Sequence, residues 1–168
     1  RKKSPVGDYH SWVIHDLWAR GKSLDEAVAA VREYPAARVR EIFDKSAIEL
    51  RNREAHIDVP VTQFVLDPYT GWELFFTFNH PTIKLHRMYL QSIMDALAVR
   101  MKVQIIKDPL LEHTQWSIYP SVVKALGLPS EADKGITFTA SKSIGGSTYD
   151  LPQFCEMCFR CYGKTEAR

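Results

Sequence analysis

Apolar positions recur at helical spacing through most of the first half of the chain. Trp12, Val13, Leu17 and Trp18 form a stripe of partial helical period, and Gly21 is placed to end that helix. Ser23-Leu24-Asp25-Glu26 fits a capping box ahead of Ala27, Val28 and Val31: the Ser hydroxyl accepts from a free amide and the Glu reaches back. Tyr34-Pro35 interrupts the pattern. From Pro35 to about Glu54, Val39, Ile42, Phe43, Ala47 and Leu50 share one helical face, while Glu41 to Lys45 and Glu49 to Arg53 are four-residue pairs in the favourable order on a solvated face. Farther on, Ile83, Leu85, Met88, Tyr89, Ile93, Ala96 and Leu97 repeat the spacing, with Lys84, Arg87, Gln91 and Asp95 as the polar stripe.

Strand signals are shorter. Glu73-Leu74-Phe75-Phe76-Thr77-Phe78 is rich in aromatics and follows the turn chemistry of Asp67-Pro68-Tyr69-Thr70-Gly71. Val103 to Ile106 and Ile136 to Ala140 are weaker strand candidates. Tyr119 to Leu128 predicts a short helix with Pro120 near its start and Gly127 past its end. Ser141 through Ser147 reads as a loop, and Asp150 is placed to cap a last helix. The pattern predicts an α/β chain, α-rich and mixed, with short central strands flanked by amphipathic helices. It forms a single domain over residues 1–168, with a Cys-containing tail helix over 150–168.

Composition sharpens this picture only in places. At 168 residues, 45% hydrophobic and 25% charged, the chain has the make-up of one ordinary globular domain. A net charge of +2 gives no basic excess that points to nucleic acid, and no apolar run approaches the roughly 20 residues of a membrane span. The three cysteines fall at positions 155, 158 and 161, too few and too clustered to staple the body with disulfides, which points to a reducing, cytoplasmic setting. The sequence opens Arg1-Lys2-Lys3-Ser4 without Met, as a fragment would.

The most informative local feature is the strand, Asn79-His80-Pro81, helix arrangement. Pro81 suits a first helical turn, which places His80 at or beside the N-cap. The positive end of a helix disfavours imidazolium, so His80 there is biased toward a neutral general base, and Asn79 could orient a substrate or a developing oxyanion. Either residue could instead simply cap the helix. His10 also precedes a helix and could join His80; an ordinary capping or surface role is the alternative. His86, beside Leu90, Ile93 and Leu97, fits a hydrogen-bonded histidine at the core edge.

Cys155, Cys158 and Cys161 could supply soft ligands to zinc or an iron–sulfur cluster, but a fourth ligand is missing nearby, and on a helix they form one stripe with Phe154 and Tyr162; buried apolar thiols are the favoured reading, with no metal assigned. Arg38, Arg40, Arg51 and Arg53 could hold phosphates or form a solvated face. Ser141-Lys142-Ser143 before Gly145-Gly146 lacks the Walker spacing, and no Gly-x-Ser-x-Gly elbow is present.

The ordered string is more specific than any one part. Tyr9-His10-Ser11, Gly21 to Ala27, Leu50 to Glu54, Asp58 to Val61, Leu74 to Thr82 and Ile118 to Leu128 together resemble the WcbI-type capsular polysaccharide biosynthesis family over about Tyr9 to Leu128. The resemblance implies bacterial capsule assembly, binding of coenzyme A, and acetyl transfer from acetyl-CoA to a sugar or sugar precursor, with His80 and Asn79, and less firmly His10, carried over as site residues. The family's Gly-Asn-Cys-Gln motif has no counterpart here, so the chain resembles the C-terminal portion of a larger α/β enzyme. The rival expectation is a non-catalytic module that binds coenzyme A, a nucleotide or a glycan and lacks a catalytic N-terminal half. A homo-oligomer is left open.

Overall fold

In the computed structural model of the chain, residues 4–7, 9–104, 107–108, 110–132 and 137–163 are described. Helix α1 (Trp12–Ala19) starts where the Ser11 hydroxyl accepts from the Ile14 amide, and Gly21, at φ +68°, turns the chain out of it. Helix α2 (Leu24–Arg32) carries the complete capping box: the Glu26 amide donates to Ser23 Oγ at 3.2 Å and the Ser23 amide to Glu26 Oε2 at 2.8 Å. Helix α3 (Ala36–Arg53) follows Pro35, its exposed face carrying the Lys45–Glu41 and Arg53–Glu49 pairs.

Glu54 ends α3 and ties down the next segment. Its carboxylate accepts from the amides of Val61 at 3.0 Å and Thr62 at 2.9 Å and from the Thr62 hydroxyl, so it caps the short helix α4 (Thr62–Val65) from across a turn. A 3-10 turn over Gly71–Glu73 leads into β1 (Phe75–Thr77), which pairs antiparallel with β2 (His80–Pro81). Helix α5 (Ile83–Ala96) comes next, and Asp108 reaches its start by accepting from the Ile83 amide at 2.7 Å.

The rest of the chain builds the second sheet and closes the core. β3 (Gln115–Trp116), β4 (Thr137–Thr139) and β5 (Thr148–Asp150) are antiparallel in that order, with Trp116 opposite Phe138 and Phe138 opposite Tyr149. Helix α6 (Pro120–Leu126) lies between β3 and β4 in the chain and ends at Gly127, whose φ of +64° is the left-handed cap conformation that favours glycine. Helix α7 (Leu151–Gly163) begins with a reciprocal cap in which the Gln153 amide donates to Asp150 and the Asp150 amide to Gln153.

The core gathers around α7. Phe154 stacks on Phe138 with ring centroids 3.9 Å apart, and Ile14, Val31, Leu151, Cys155, Cys158 and Tyr162 are buried with them. The cysteine stripe therefore packs inward against α1 and α2 as the apolar-thiol reading expects, and burial pushes the Cys155 and Cys158 thiols up to about 12. The architecture is a mixed α/β fold, rich in helix, with short antiparallel strands in two small sheets. Among the described residues no helix is long and apolar enough to cross a membrane.

Several local expectations shift. Ile14, not Trp12, points α1 at the core, and Trp12 is 79% exposed. On α3 only Val39 and Ala47 are buried; Ile42 and Phe43 remain exposed. The aromatic strand shrinks to Phe75–Thr77 because the chain through Glu73 is still turning. The expected strand at Ile136 to Ala140 is described as Thr137–Thr139, while Ile105 and Ile106 of the other candidate lie outside the described residues.

Candidate functional site

The β1–β2 turn sets four side chains in order: Thr77 is buried, Phe78 and Asn79 are exposed, and His80 is half-buried. His80 lies in β2 rather than at the helix start. Thr82 is the N-cap of α5 and Pro81 pairs with Phe75, so both precede the first helical turn. Hydrogen bonding to neighbouring side chains, not the end of a helix, therefore orients the imidazole.

Those neighbours are Tyr9 and Thr77. Tyr9 Oη lies 2.8 Å from His80 Nδ1 and 3.1 Å from Asn79 Oδ1; Thr77 Oγ1 lies 3.2 Å from the same nitrogen and 3.0 Å from the same oxygen. The roles in the two contacts to His80 depend on its tautomer. Each hydroxyl has a single hydrogen, and Asn79 Oδ1, with two lone pairs, accepts both of them. The two contacts to His80 are satisfied when Nδ1 carries the ring hydrogen and donates to the hydroxyl oxygens. In that tautomer Nε2, 3.5 Å from Tyr9 Oη, keeps its lone pair, the form a general base requires. The His113 ring stands 6.1 Å from the His80 ring, so a second imidazole borders the cluster.

His10 takes a different direction from its neighbour Tyr9. Its Nδ1 lies 3.4 Å from Tyr162 Oη, and its ring packs 5.8 Å from that tyrosine. His86 is exposed on α5, with Nδ1 3.0 Å from the Thr82 carbonyl, rather than set at a core edge. The residues that complete the His80 cluster are thus Tyr9 and Thr77. The only mark Tyr9 bears in the sequence is its place beside His10, and Thr77 looks like any polar strand residue.

Thr77 also belongs to a cleft of about 660 Å³ bounded by the start of α1, the Gly71–Phe78 segment and residues 116–122. His10, Trp72 and Trp116 line it, and among the described residues no Asp, Glu, Lys or Arg does. Gly71 is required where it lies, since a Cβ there would stand 2.3 Å from the Val65 carbonyl oxygen. On another wall the Tyr119 hydroxyl donates to Ser11 Oγ at 3.0 Å, and burial pushes that phenol up to about 12.

The arginines of α3 form a solvated face. Arg38 is engaged by Glu41 and Arg53 by Glu49, and the hollow lined by Arg51 also holds Glu54 and Asp67, two carboxylates that oppose a phosphate. Among the described residues no group of three or more His, Cys, Asp or Glu side chains is arranged to hold a metal ion.

Comparison with known proteins places the first part of the chain. Residues 1–102 match the family described as polysaccharide biosynthesis enzyme WcbI, a span that contains Tyr9, His10, Thr77, Asn79 and His80 but stops short of the resembling stretch at Ile118 to Leu128. No curated protein and no solved structure matches the chain. With 102 of its 168 residues matched, the chain belongs to the WcbI family of polysaccharide biosynthesis enzymes.

Proposed function

We propose that the protein transfers an acyl group, acetyl in the simplest case, from coenzyme A to a hydroxyl of a sugar used in polysaccharide assembly, with His80 as the general base. The observation that carries this reading is the network that sets the Tyr9 and Thr77 hydroxyls 2.8 and 3.2 Å from His80 Nδ1; with Nδ1 as the donor, Nε2 keeps the lone pair that accepts. Nε2 takes the proton of the acceptor hydroxyl, and Nδ1–H stays engaged as the ring becomes cationic, so the imidazolium keeps its orientation. Asn79 acts on the hydroxyls rather than on the substrate: by taking both of their protons it turns their lone pairs toward Nδ1. The thioester supplies an electrophilic carbon, and the proton held on Nε2 is available to the departing sulfur.

Arg38 and Arg53 of α3 are paired with Glu41 and Glu49, and no Lys or Arg among the described residues lines the cleft beside Thr77. The chain's contribution that the geometry supports is therefore on the acceptor side, where a neutral cleft adjoins the base.

The test is thiol release from acetyl-CoA by the full chain with neutral pyranosides as acceptors. His80→Ala should lower turnover by about 10²–10⁴, the usual contribution of a positioned base. Unchanged turnover would remove the role. Calorimetry that detects coenzyme A binding without any turnover would favour a binding module instead.

A further inference from the structure

The cleft has a chemistry of its own. Three of the chain's four tryptophans, Trp12, Trp72 and Trp116, line it. Trp12 and Phe78 line it while 79% and 82% accessible, an unusual exposure for large aromatics, although Phe78 packs on Tyr9 and Trp12 on His15 at one side. The inner indoles are held in place: Trp72 Nε1 donates to the Tyr69 carbonyl at 3.1 Å, and Trp116 packs edgewise on Phe138 and Phe154. Thr77 and Ser117 add hydroxyls to the lining.

Flat aromatic faces with a few hydroxyls and no formal charge suit a ligand that has an apolar face and a rim of neutral polar groups. A pyranose ring is such a ligand: its axial C–H bonds form an apolar face, and its hydroxyls point outward. No Lys or Arg among the described residues lines the cleft to meet a phosphate, so its lining favours a neutral ligand over the nucleotide end of coenzyme A. Thr77 links the cleft to the chemistry, since the residue in its wall is also hydrogen-bonded to His80 Nδ1.

We propose that this cleft is a sugar-binding subsite that takes a neutral pyranose against Trp12 and Phe78, with Thr77 in its wall as the link to His80. The assignment deepens the acyl-transfer reading and rests on it for the identity of the reacting group, but binding can be measured without turnover.

The experiment is saturation-transfer NMR on the full chain with methyl β-D-glucopyranoside and methyl β-D-galactopyranoside, together with tryptophan fluorescence titration of the same probes. Saturation should reach the ring C–H protons of at least one probe, and its titration should change the tryptophan emission. Trp12→Ala and Phe78→Ala, both at exposed positions and so compatible with folding, should each weaken binding by about tenfold, a loss of about 1.4 kcal/mol. His80→Ala should bind the sugar as the parent does while losing turnover. Sugar binding in this pattern without acetyl transfer would leave the cleft assignment standing and remove the catalytic reading. Acetyl transfer with binding indifferent to both aromatic substitutions would overturn the cleft alone. No saturation of either probe would overturn it, as would displacement of the probes by pantetheine, or a dimer lost in Trp12→Ala, which would give the cleft to another occupant.

Discussion

The phenol oxygen of Tyr9 stands 2.8 Å from Nδ1 of His80, although 71 positions separate the two residues in the chain. That contact ties the segment ahead of α1 to the β1–β2 turn and gives the histidine a hydrogen-bond partner from a distant part of the chain. Thr77 and Asn79 complete the arrangement, with Asn79 Oδ1 as the common acceptor for both hydroxyls.

Tyr9→Phe removes the closer of the two acceptors for Nδ1–H while keeping the ring that packs on Phe78 at 5.4 Å. The loss of one such hydrogen bond, about 1.4 kcal/mol, should lower kcat for acetyl transfer about tenfold. The KM for the sugar should stay within about twofold if Tyr9 acts through His80 and not on the substrate. Steady-state kinetics separates the two parameters; a rise in KM with kcat intact would place Tyr9 in the sugar contact instead.

Thr77 offers a cleaner comparison because it is buried and both conservative replacements fit its space. Thr77→Ser retains the hydroxyl and should keep kcat within about twofold. Thr77→Val leaves Nδ1–H and Asn79 Oδ1 each short of one partner and should cost about 1 kcal/mol in stability, with a several-fold lower kcat. Thermal melts and turnover measured on the pair give the check, and equal activity of the two variants would contradict the proton count.

Local chemistry made much of the fold readable in advance. The capping box at Ser23, the turn after Gly127 and the cap at Asp150 depend on residues within a few positions of one another, and each forms as its spacing predicts. The burial pattern is less legible because it depends on distant partners: α3 has a five-residue apolar stripe, but only Val39 and Ala47 find cover, while α7 at the end of the chain supplies the core. The site divides in the same way. Asn79 and His80 stand out by adjacency to a strand and a helix, but the register of β1 on β2 keeps His80 in the strand. Its principal partner comes from a loop no local pattern connects to it.

Asp150 starts the helix that carries half of the buried core cluster, and its carboxylate accepts from the Gln153 amide at 2.8 Å. Asp150→Ala should lower stability by about 1 kcal/mol, the usual worth of such a cap, and Asp150→Asn should recover most of it. Chemical denaturation midpoints at constant slope provide the measurement. If the Ala and Asn variants were equally destabilised, the cap would not be what Asp150 supplies.

Gly71 cannot be replaced without moving the wall of the cleft. A Cβ at this position would meet the Val65 carbonyl oxygen at 2.3 Å, a backbone atom that cannot rotate away. Gly71→Ala should therefore destabilise the chain by about 1–3 kcal/mol, the range of an overpacked site. It should also weaken pyranose binding in the fluorescence titration, since Gly71 and Trp72 adjoin in the lining. A variant as stable as the parent would show that the α4–β1 connection yields more readily than this approach implies.

Alkaline pH should loosen the core through four groups that burial keeps protonated, the Tyr162 phenol among them. Cys155 and Cys158 are each raised from about 9 to about 12, and Tyr119 from 10 to about 12. In the unfolded chain these groups ionise at their ordinary values, so between those values and about 12 the folded state holds more protons than the unfolded one, and stability falls as pH rises. Below about pH 9 their full contribution is present. Melting temperature should accordingly decline from that point upward, and the two buried thiols should resist an aromatic disulfide reagent until unfolding exposes them. Cys155→Ala combined with Cys158→Ala should flatten the decline, leaving the part due to Tyr119 and Tyr162. A melting temperature that stayed level through pH 11 in the parent chain would mean that these groups ionise in place, in contact with water.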